Sequence, residues 1–247
     1  MKVIVMKFGG TSVKDDYSRS LMLEHIVREV GEGFKVLVVV SAMGRLGSVY
    51  ATDTLKSLVT NHISNRESDR LLSCGEVISS IVISDMMKAA GVNVTSLAPV
   101  ELGILTDCDH TDANILEVDS SAVFEKFQEY DVLIAPGFVG VSERGFVTTL
   151  GRGGSDTSAI ALGNAVGAEF VDIYSDVPGV MTADPKIDPN ATLISEMSYD
   201  ELTRIAEAGA KVIHLKAILM AKEYEINLRL RSTFEQSVGT YVLGHDE

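Results

Sequence analysis

Cysteine is scarce in this chain of 247 residues: Cys74 and Cys108 are its only two, with no CxxC pair and no histidine at ligand spacing. That excludes a disulfide framework and a zinc-ribbon pattern, and it predicts two reduced thiols in a cytoplasmic protein. Long apolar runs are lacking as well. VIVM and VLVVVSAM have the length of strands, and none approaches the roughly 18 residues of a membrane span. The opening MKVIVMKFGG passes from an apolar run straight into Lys-Phe-Gly-Gly without a small-residue cleavage site, so no signal peptide is expected. Basic residues are the third shortage: 21 Lys and Arg stand against 35 Asp and Glu, a net charge of −14. Such a balance argues against nucleic acid or a membrane as partner, while leaving room for a local basic pocket.

What the chain does carry is core material. Hydrophobic residues make up 46% of it and its mean hydropathy is +0.20, enough to fill a sizeable interior. Apolar strand candidates at 2–7, 35–41, 92–97, 131–136 and 169–175 alternate with helical stretches at 18–30 and 69–91, the pattern of an α/β protein. In the second helix Leu72, Val77, Ile81, Met86 and Ala90 recur near helical spacing, and Gly91 stops it. Residues 139–150 read as a hairpin. Helices over 199–209 and 210–225 and strands at 227–232 and 239–243 complete the chain, with no repeat or long linker. One domain over 1–247, two-lobed with a join near residue 170, is expected.

Glycines gather where strand candidates end. In KFGGTS, Gly9 and Gly10 let backbone N–H groups approach an anion, and Lys7 adds a positive charge. The stretch is neither a Walker A loop nor a GxGxxG, so a plain β-to-α turn remains the alternative. SAMG, Ser41 to Gly44, ends the second strand at the edge where open α/β sheets collect ligands. Ser41 there either binds a polar group or caps a helix, and Thr52 and Asp53 carry the same ambiguity. Within SCGE, Gly75 costs a helix about 1 kcal/mol relative to alanine, which points to a close approach; Glu76 is either a solvated carboxylate or an amine partner.

GRGGSDTSA sets Arg152, a planar fork for a carboxylate or phosphate, among glycines and before a helix start at Ser155 and Asp156. A capped corner would explain Asp156 and the glycines but would leave Arg152 idle. YSDVPGVMTADPK brings Ser175 and Asp176 to a strand end, turns at Pro178-Gly179 and continues to Asp184 and Lys186, suiting a ribose and phosphate edge or a simple turn. AGAKVIH places Gly209 and Lys211 at a helix start, where a cation opposes the dipole unless it serves an anion. His214 reads as packed or exposed, without a visible base partner.

In their joint order KFGGTS, SAMG, SCGE, GILTD, GRGGSDTSA, SDVPGVMTADPK, GAKVIH and LRLRSTF resemble the aspartokinases of the amino-acid kinase family, over nearly the whole chain. Within that family the likeness is greatest to the diaminopimelate and lysine-pathway enzymes of Gram-positive spore formers. The resemblance implies a carbamate-kinase-like three-layer α/β/α sandwich with a mainly parallel sheet. It implies an acceptor lobe over about 1–168 and an ATP lobe over about 169–247. The implied reaction is phosphoryl transfer from ATP with Mg²⁺ to the β-carboxylate of L-aspartate.

Carried over residue by residue, Lys7 bridges the phosphates, Gly9, Gly10, Thr11 and Ser12 line them, and Asp156 orders Lys7. Ser41, Thr52 and Glu76 bind aspartate, and Arg152 clamps its α-carboxylate with Gly153, Gly154 and Ser155 beside it. Ser175, Asp176, Met181, Asp184, Lys186 and Lys211 hold the nucleotide. No metal site built by the protein is implied. A homodimer and a separate regulatory subunit are partners the resemblance allows.

Some positions depart from the family pattern. Ser175 stands where Thr is usual, Lys186 where Arg is usual, and Leu215-Lys216 follow His214 in place of Pro-Arg. The family commonly continues into paired ACT domains, whereas no ACT domain is read in these 247 residues, so feedback control through one is not carried over. Two rivals stay open: an amino-acid kinase acting on another acceptor such as N-acetylglutamate or UMP, and a non-catalytic sensor subunit of the same fold.

Overall fold

The strands are β1 (Val3–Phe8), β2 (Lys35–Val40), β3 (Val94–Ser96), β4 (Ile104–Thr106), β5 (Ile115–Val118), β6 (Val132–Pro136), β7 (Val139–Ser142), β8 (Val147–Thr149), β9 (Phe170–Ser175), β10 (Glu196–Met197), β11 (Leu228–Ser232) and β12 (Thr240–Val242). The helices are α1 (Asp16–Gly31), α2 (Thr52–Ser57), α3 (Asn65–Ala89), α4 (Ser121–Phe127), α5 (Gly154–Ala165), α6 (Tyr199–Glu207) and α7 (Leu215–Glu223). They come from a computed structural model, which describes residues 1–60, 62–183, 188, 190–209 and 212–243.

Among the described residues the main sheet has the order β10-β12-β11-β9-β1-β2-β6-β3. Its pairs are parallel except β11 with β12. The alternation of side chains across β1 explains why KVIVMK reads as an unbroken apolar run. Val3 and Val5 join a core under α4, α5, α6 and α7, whereas Ile4, Met6 and Phe8 join a second core under α1 and α3. β2 repeats the pattern, Leu37 and Val39 on one face and Val36, Val38 and Val40 on the other. Both faces are therefore covered, which gives the expected three layers.

Local signals account for the helix starts. Ser64 and Glu67 form a capping box before α3, with Ser64 N donating to Glu67 Oε2 at 2.9 Å. Asp15 caps α1 by accepting from Ser18 N at 2.8 Å. Two expectations need correction here. Neither Ser155 nor Asp156 caps α5: its N-cap is Gly153, at φ +73°, and no side chain caps it. Nor does Gly209 open a helix. It follows the end of α6 at φ +103°, a backbone setting that ends helices, and α7 starts only at Leu215, capped by His214.

Beside the main sheet lies a smaller one, β5-β4-β7-β8, which includes the expected hairpin. β4 and β5 were not anticipated as paired strands.

Candidate functional site

β1, β2 and β6 end side by side, and the Gly153 turn at the head of α5 faces them across a cavity of about 870 Å³, within the size range of small-molecule sites. Lys7 and Asp156 meet in it, Nζ to Oδ1 at 2.7 Å, with both side chains about one-tenth exposed. The pairing follows from strand alternation: Lys7 sits on the same face of β1 as Val3 and Val5, the face covered by α5. Asp156 Oδ2 also accepts from the backbone N–H of His214 at 3.3 Å, so α7's cap is tied to the same carboxylate. His214 is exposed, as one reading of the sequence had it, and its backbone N–H ties it to Asp156.

The glycines are explained by what presses on them. A Cβ on Gly10 would lie 2.4 Å from the Gly44 carbonyl oxygen and 2.8 Å from that of Ala42. The two strand-end turns therefore pack backbone on backbone, and Gly44 N donates to Gly10 O at 2.9 Å. On Gly153 a Cβ would fall 2.3 Å from the His214 ring, and on Gly154 2.7 Å from Phe138. Small residues let the head of α5 close over the cavity.

Glu76 lines the far wall from α3 and is 2% exposed. Its Oε1 accepts from Ala42 N at 3.2 Å and Thr52 Oγ1 at 3.5 Å; its Oε2 is buried without a hydrogen-bond partner among the described residues. Loss of water pushes this carboxyl up to about 8, against the pull of those two donors. Ser41 heads no helix; its Oγ donates to Ser155 Oγ at 3.0 Å across the cavity. Arg152 is exposed at the cavity and makes no ion pair with a described carboxylate. One chamber thus holds a buried acid with an open oxygen, an uncommitted guanidinium and a Lys–Asp pair.

With that geometry established, comparison with known proteins decides the family. The description "Amino acid kinase family" matches residues 2–232. The chain belongs to the amino acid kinase family. Among curated members of it, Aspartokinase 1 of Bacillus subtilis is 49% identical over 99% of this chain and 61% of its own length. A crystal structure of aspartate kinase from Synechocystis superposes with a TM-score of 0.87 at 36% identity, covering 99% of this chain and 40% of that one. Aspartokinase III of E. coli, in complex with aspartate and ADP, gives 0.82 at 25% identity, over 100% of this chain and 65% of that one. The chain spans about three-fifths of the length of the curated relatives it matches.

In this member of the family the residues expected at the acceptor, Ser41, Thr52, Glu76, Arg152, Gly153, Gly154 and Ser155, all line the one cavity with Lys7 and Asp156. Of those expected at the nucleotide, Gly9, Gly10, Ser175 and Asp176 lie in the turns at the carboxyl ends of β1 and β9, which are neighbours in the sheet. Gly9 and Gly10 sit in the first turn, and Ser175 and Asp176 in the second, where Asp176 pairs with Arg45 at 3.1 Å. Met181 lies farther on, bridged to Leu193. Ser12 is fully buried, its Oγ accepting from Thr233 Oγ1 at 2.7 Å, so its hydroxyl holds the turn from behind instead of lining the cavity. Asp184, Lys186 and Lys211 lie outside the described residues.

Several lining residues escaped the sequence reading. Phe138 follows β6 at φ +70°, its N–H donating to Ser158 Oγ at 3.0 Å. Thr111, at φ +81°, and Thr149 are held by Asp69, a fully buried carboxylate that takes Thr111 N at 3.0 Å and Thr149 Oγ1 at 2.6 Å. His110 Nδ1 completes that set at 2.6 Å. A Gly-Phe pair directly after a strand was the available signal for Phe138; nothing local marked Asp69.

Proposed function

We propose that the chain carries the catalytic domain of an aspartate kinase. It would transfer the γ-phosphoryl group of MgATP to the β-carboxylate of L-aspartate, giving 4-phospho-L-aspartate and ADP. The observation that carries this reading is the pairing of Glu76 and Arg152 in one cavity with Lys7. An α-amino acid needs an acid for its ammonium and a guanidinium fork for its α-carboxylate, and it leaves a side-chain carboxylate to face the cation. Relatives named aspartokinase, and one solved with aspartate and ADP, support it.

The chemistry asks little of the protein beyond placement and charge. The attacking oxygen belongs to a carboxylate already ionised at neutral pH, so no general base is required. As its bond to phosphorus forms, the bond to the ADP oxygen breaks, and negative charge spreads over the phosphoryl oxygens. Lys7 stands ready to neutralise that charge, and Asp156 fixes the Lys7 ammonium from 2.7 Å. Gly9, Gly10 and Thr11 would present backbone N–H groups to the phosphates, with Ser175, Asp176 and Met181 on the nucleoside side; Asp184, Lys186 and Lys211 keep their expected nucleotide roles.

Mg²⁺ arrives on the nucleotide as part of the substrate. Phosphate oxygens would be its main ligands, as is usual for the ion carried by a nucleotide substrate. The lobes, about 1–168 and 169–247, would bind acceptor and nucleotide in turn. No described helix is long and apolar enough to cross a membrane, and a cytoplasmic location is part of the proposal.

A kinase for N-acetylglutamate or UMP would have no ammonium to set against Glu76, and that acid counts against both. The test is ADP release coupled to a reporter, with L-aspartate, L-glutamate and N-acetyl-L-aspartate compared. Turnover with L-aspartate alone is expected. ATP binding without turnover on L-aspartate would sink the reading.

A further inference from the structure

The carboxyl ends of β1, β9 and β11 lie next to one another, β9 in the middle. Two of these ends start the turns placed at the nucleotide, Gly9–Ser12 and Ser175–Asp176. The third delivers Thr233, a residue that no role above uses. Its position is fixed from upstream, because Ser232 is in register with Ser175 and the charged pairs of β11 lock that register. Arg229 grips Asp172 of β9 with two bonds, at 2.6 and 2.9 Å, and Arg231 adds a third at 3.3 Å.

From there Thr233 spends each of its polar groups on a different segment. Its N–H donates to Ser175 O at 3.0 Å. Its Oγ1 donates to Ser12 Oγ at 2.7 Å, both residues being almost wholly buried. Its carbonyl lies 3.1 Å from Nε2 of His25 in α1. That contact has a defined sense: a guanidinium only donates, and Arg28 sits 3.2 Å from His25 Nδ1, so Nδ1 accepts and Nε2 carries the proton. Burial pushes His25 down to about 4, and the ring is neutral at working pH. Above it, the Tyr174 ring stacks on Phe8 with centroids 4.4 Å apart, joining the carboxyl ends of β9 and β1 directly.

We propose that Thr233 is a positioning residue for the nucleotide, acting through Ser12 and Ser175. Residues 12 and 175 are far apart in sequence, and Thr233 ties both turns to one point. Ser12 Oγ has this one hydrogen bond among the described residues, so its place behind the Gly9–Gly10 turn depends on the Thr233 hydroxyl. The acceptor cavity is lined by neither Ser12, Ser175 nor Thr233. A loosened tether therefore acts on the nucleotide and spares the acceptor. The proposal rests on the nucleotide reading given above.

Thr233→Val keeps the shape and the backbone bonds and removes only the hydroxyl. Its dissociation constant for MgADP, measured calorimetrically without acceptor, is expected to rise about tenfold, the scale of one lost hydrogen bond. The KM for ATP should rise with it while that for L-aspartate stays within about twofold. Thr233→Ser restores the hydroxyl and should restore MgADP binding. Ser12→Ala removes the same bond from its other end, so the double variant should be no worse than either single one.

Additive losses in that cycle, unchanged MgADP binding in a folded Thr233→Val, or an equal rise in both KM values would overturn the proposal. Should Thr233→Val fold poorly, Ser12→Ala and the rescue by Ser carry the same test. Absence of MgADP binding to the unaltered chain would overturn the nucleotide reading itself, and this proposal with it.

Discussion

At the scale of single residues, the two groups assigned to the acceptor make separable predictions. Arg152 offers a planar fork to the α-carboxylate, so Arg152→Ala should raise the KM for L-aspartate far more than that for ATP. Equal effects on both would contradict its role. Glu76 is different, because burial raises its pKa to about 8 in the folded chain from 4.5. Between those two values the folded state keeps a proton that the unfolded state has released. Stability from this group is therefore complete below about pH 4.5 and is lost as pH rises through about 8. Glu76→Gln, which mimics the protonated acid, should melt close to the parent at pH 5 and above it at pH 8.5 without ligand. Binding runs the other way, since an ammonium needs the ionised acid. The KM for L-aspartate should fall between pH 7 and 8.5 in the parent, and in Glu76→Gln it should be high with that fall removed. A parent whose melting is insensitive to this substitution at pH 8.5 would show that Glu76 is not held as described. Arg152 was legible in the sequence because a capped corner has no use for a guanidinium. The perturbation of Glu76 was not, because the turn after β2 and helix α2, against which α3 is seated at this point, reach it only through the fold.

Elements were legible where their signal is local. The apolar runs of β1, β2, β6 and β9 appear in sequence much as they do in space, whereas α3 begins at Asn65, four residues before the expected start, behind a capping box. β4 and β5 did not, since they are 3 and 4 residues long and their pairing depends on partners elsewhere in the chain. α7 begins five residues later than expected because the glycine before it ends α6. Gly75 was read correctly as a close approach within a helix. A Cβ there would lie 2.8 Å from Ala42 Cβ, 2.9 Å from Tyr50 O and 3.2 Å from Leu55 Cδ1, so α3 is seated against the SAMG turn and α2 at this point. Gly75→Ala sets a helix-propensity gain of about 1 kcal/mol against an overpacking cost of about 1–3 kcal/mol. Two of the three neighbours are a backbone oxygen and a β-carbon, which yield little, so the cost should win. The variant is expected to unfold at lower denaturant, with a raised KM for L-aspartate as the adjacent Glu76 is displaced. A variant more stable than the parent would mean that α3 does not sit this close.

At the scale of the whole molecule, the layer order followed from alternation, but the meaning of the join near residue 170 did not. The charge balance left room for a local basic pocket, and among the described residues the cavity is mixed, with Glu76 and Asp156 beside Lys7 and Arg152. As for the join, the main sheet passes through it unbroken. β1 pairs with β2 on one side and with β9 on the other, so the central strand of the sheet needs partners from both lobes. One core cluster likewise runs from Val5, Leu37 and Leu162 to Val171, Ala217 and Leu230. A buried charge group also spans the lobes. Glu29 of α1 lies 3.6 Å from Arg229 and 3.5 Å from Arg231, while both arginines hold Asp172. Cutting the chain after residue 168 would leave Glu29 without these guanidinium partners and bare one edge of β1. It would also expose core side chains such as Val5 and Leu162 that pack against residues 169–247; each is worth about 1.5–3 kcal/mol when buried, so a few rival the roughly 5–15 kcal/mol that typically holds a domain together. The lobes are therefore expected to be functional halves of one folding unit. In urea the 247-residue chain should lose far-UV circular dichroism and tyrosine fluorescence in coincident transitions. The 1–168 fragment should show no cooperative transition of its own and should aggregate by light scattering. A fragment that melts cooperatively as a monomer would make the acceptor lobe an independent domain and the shared sheet a secondary feature of its stability.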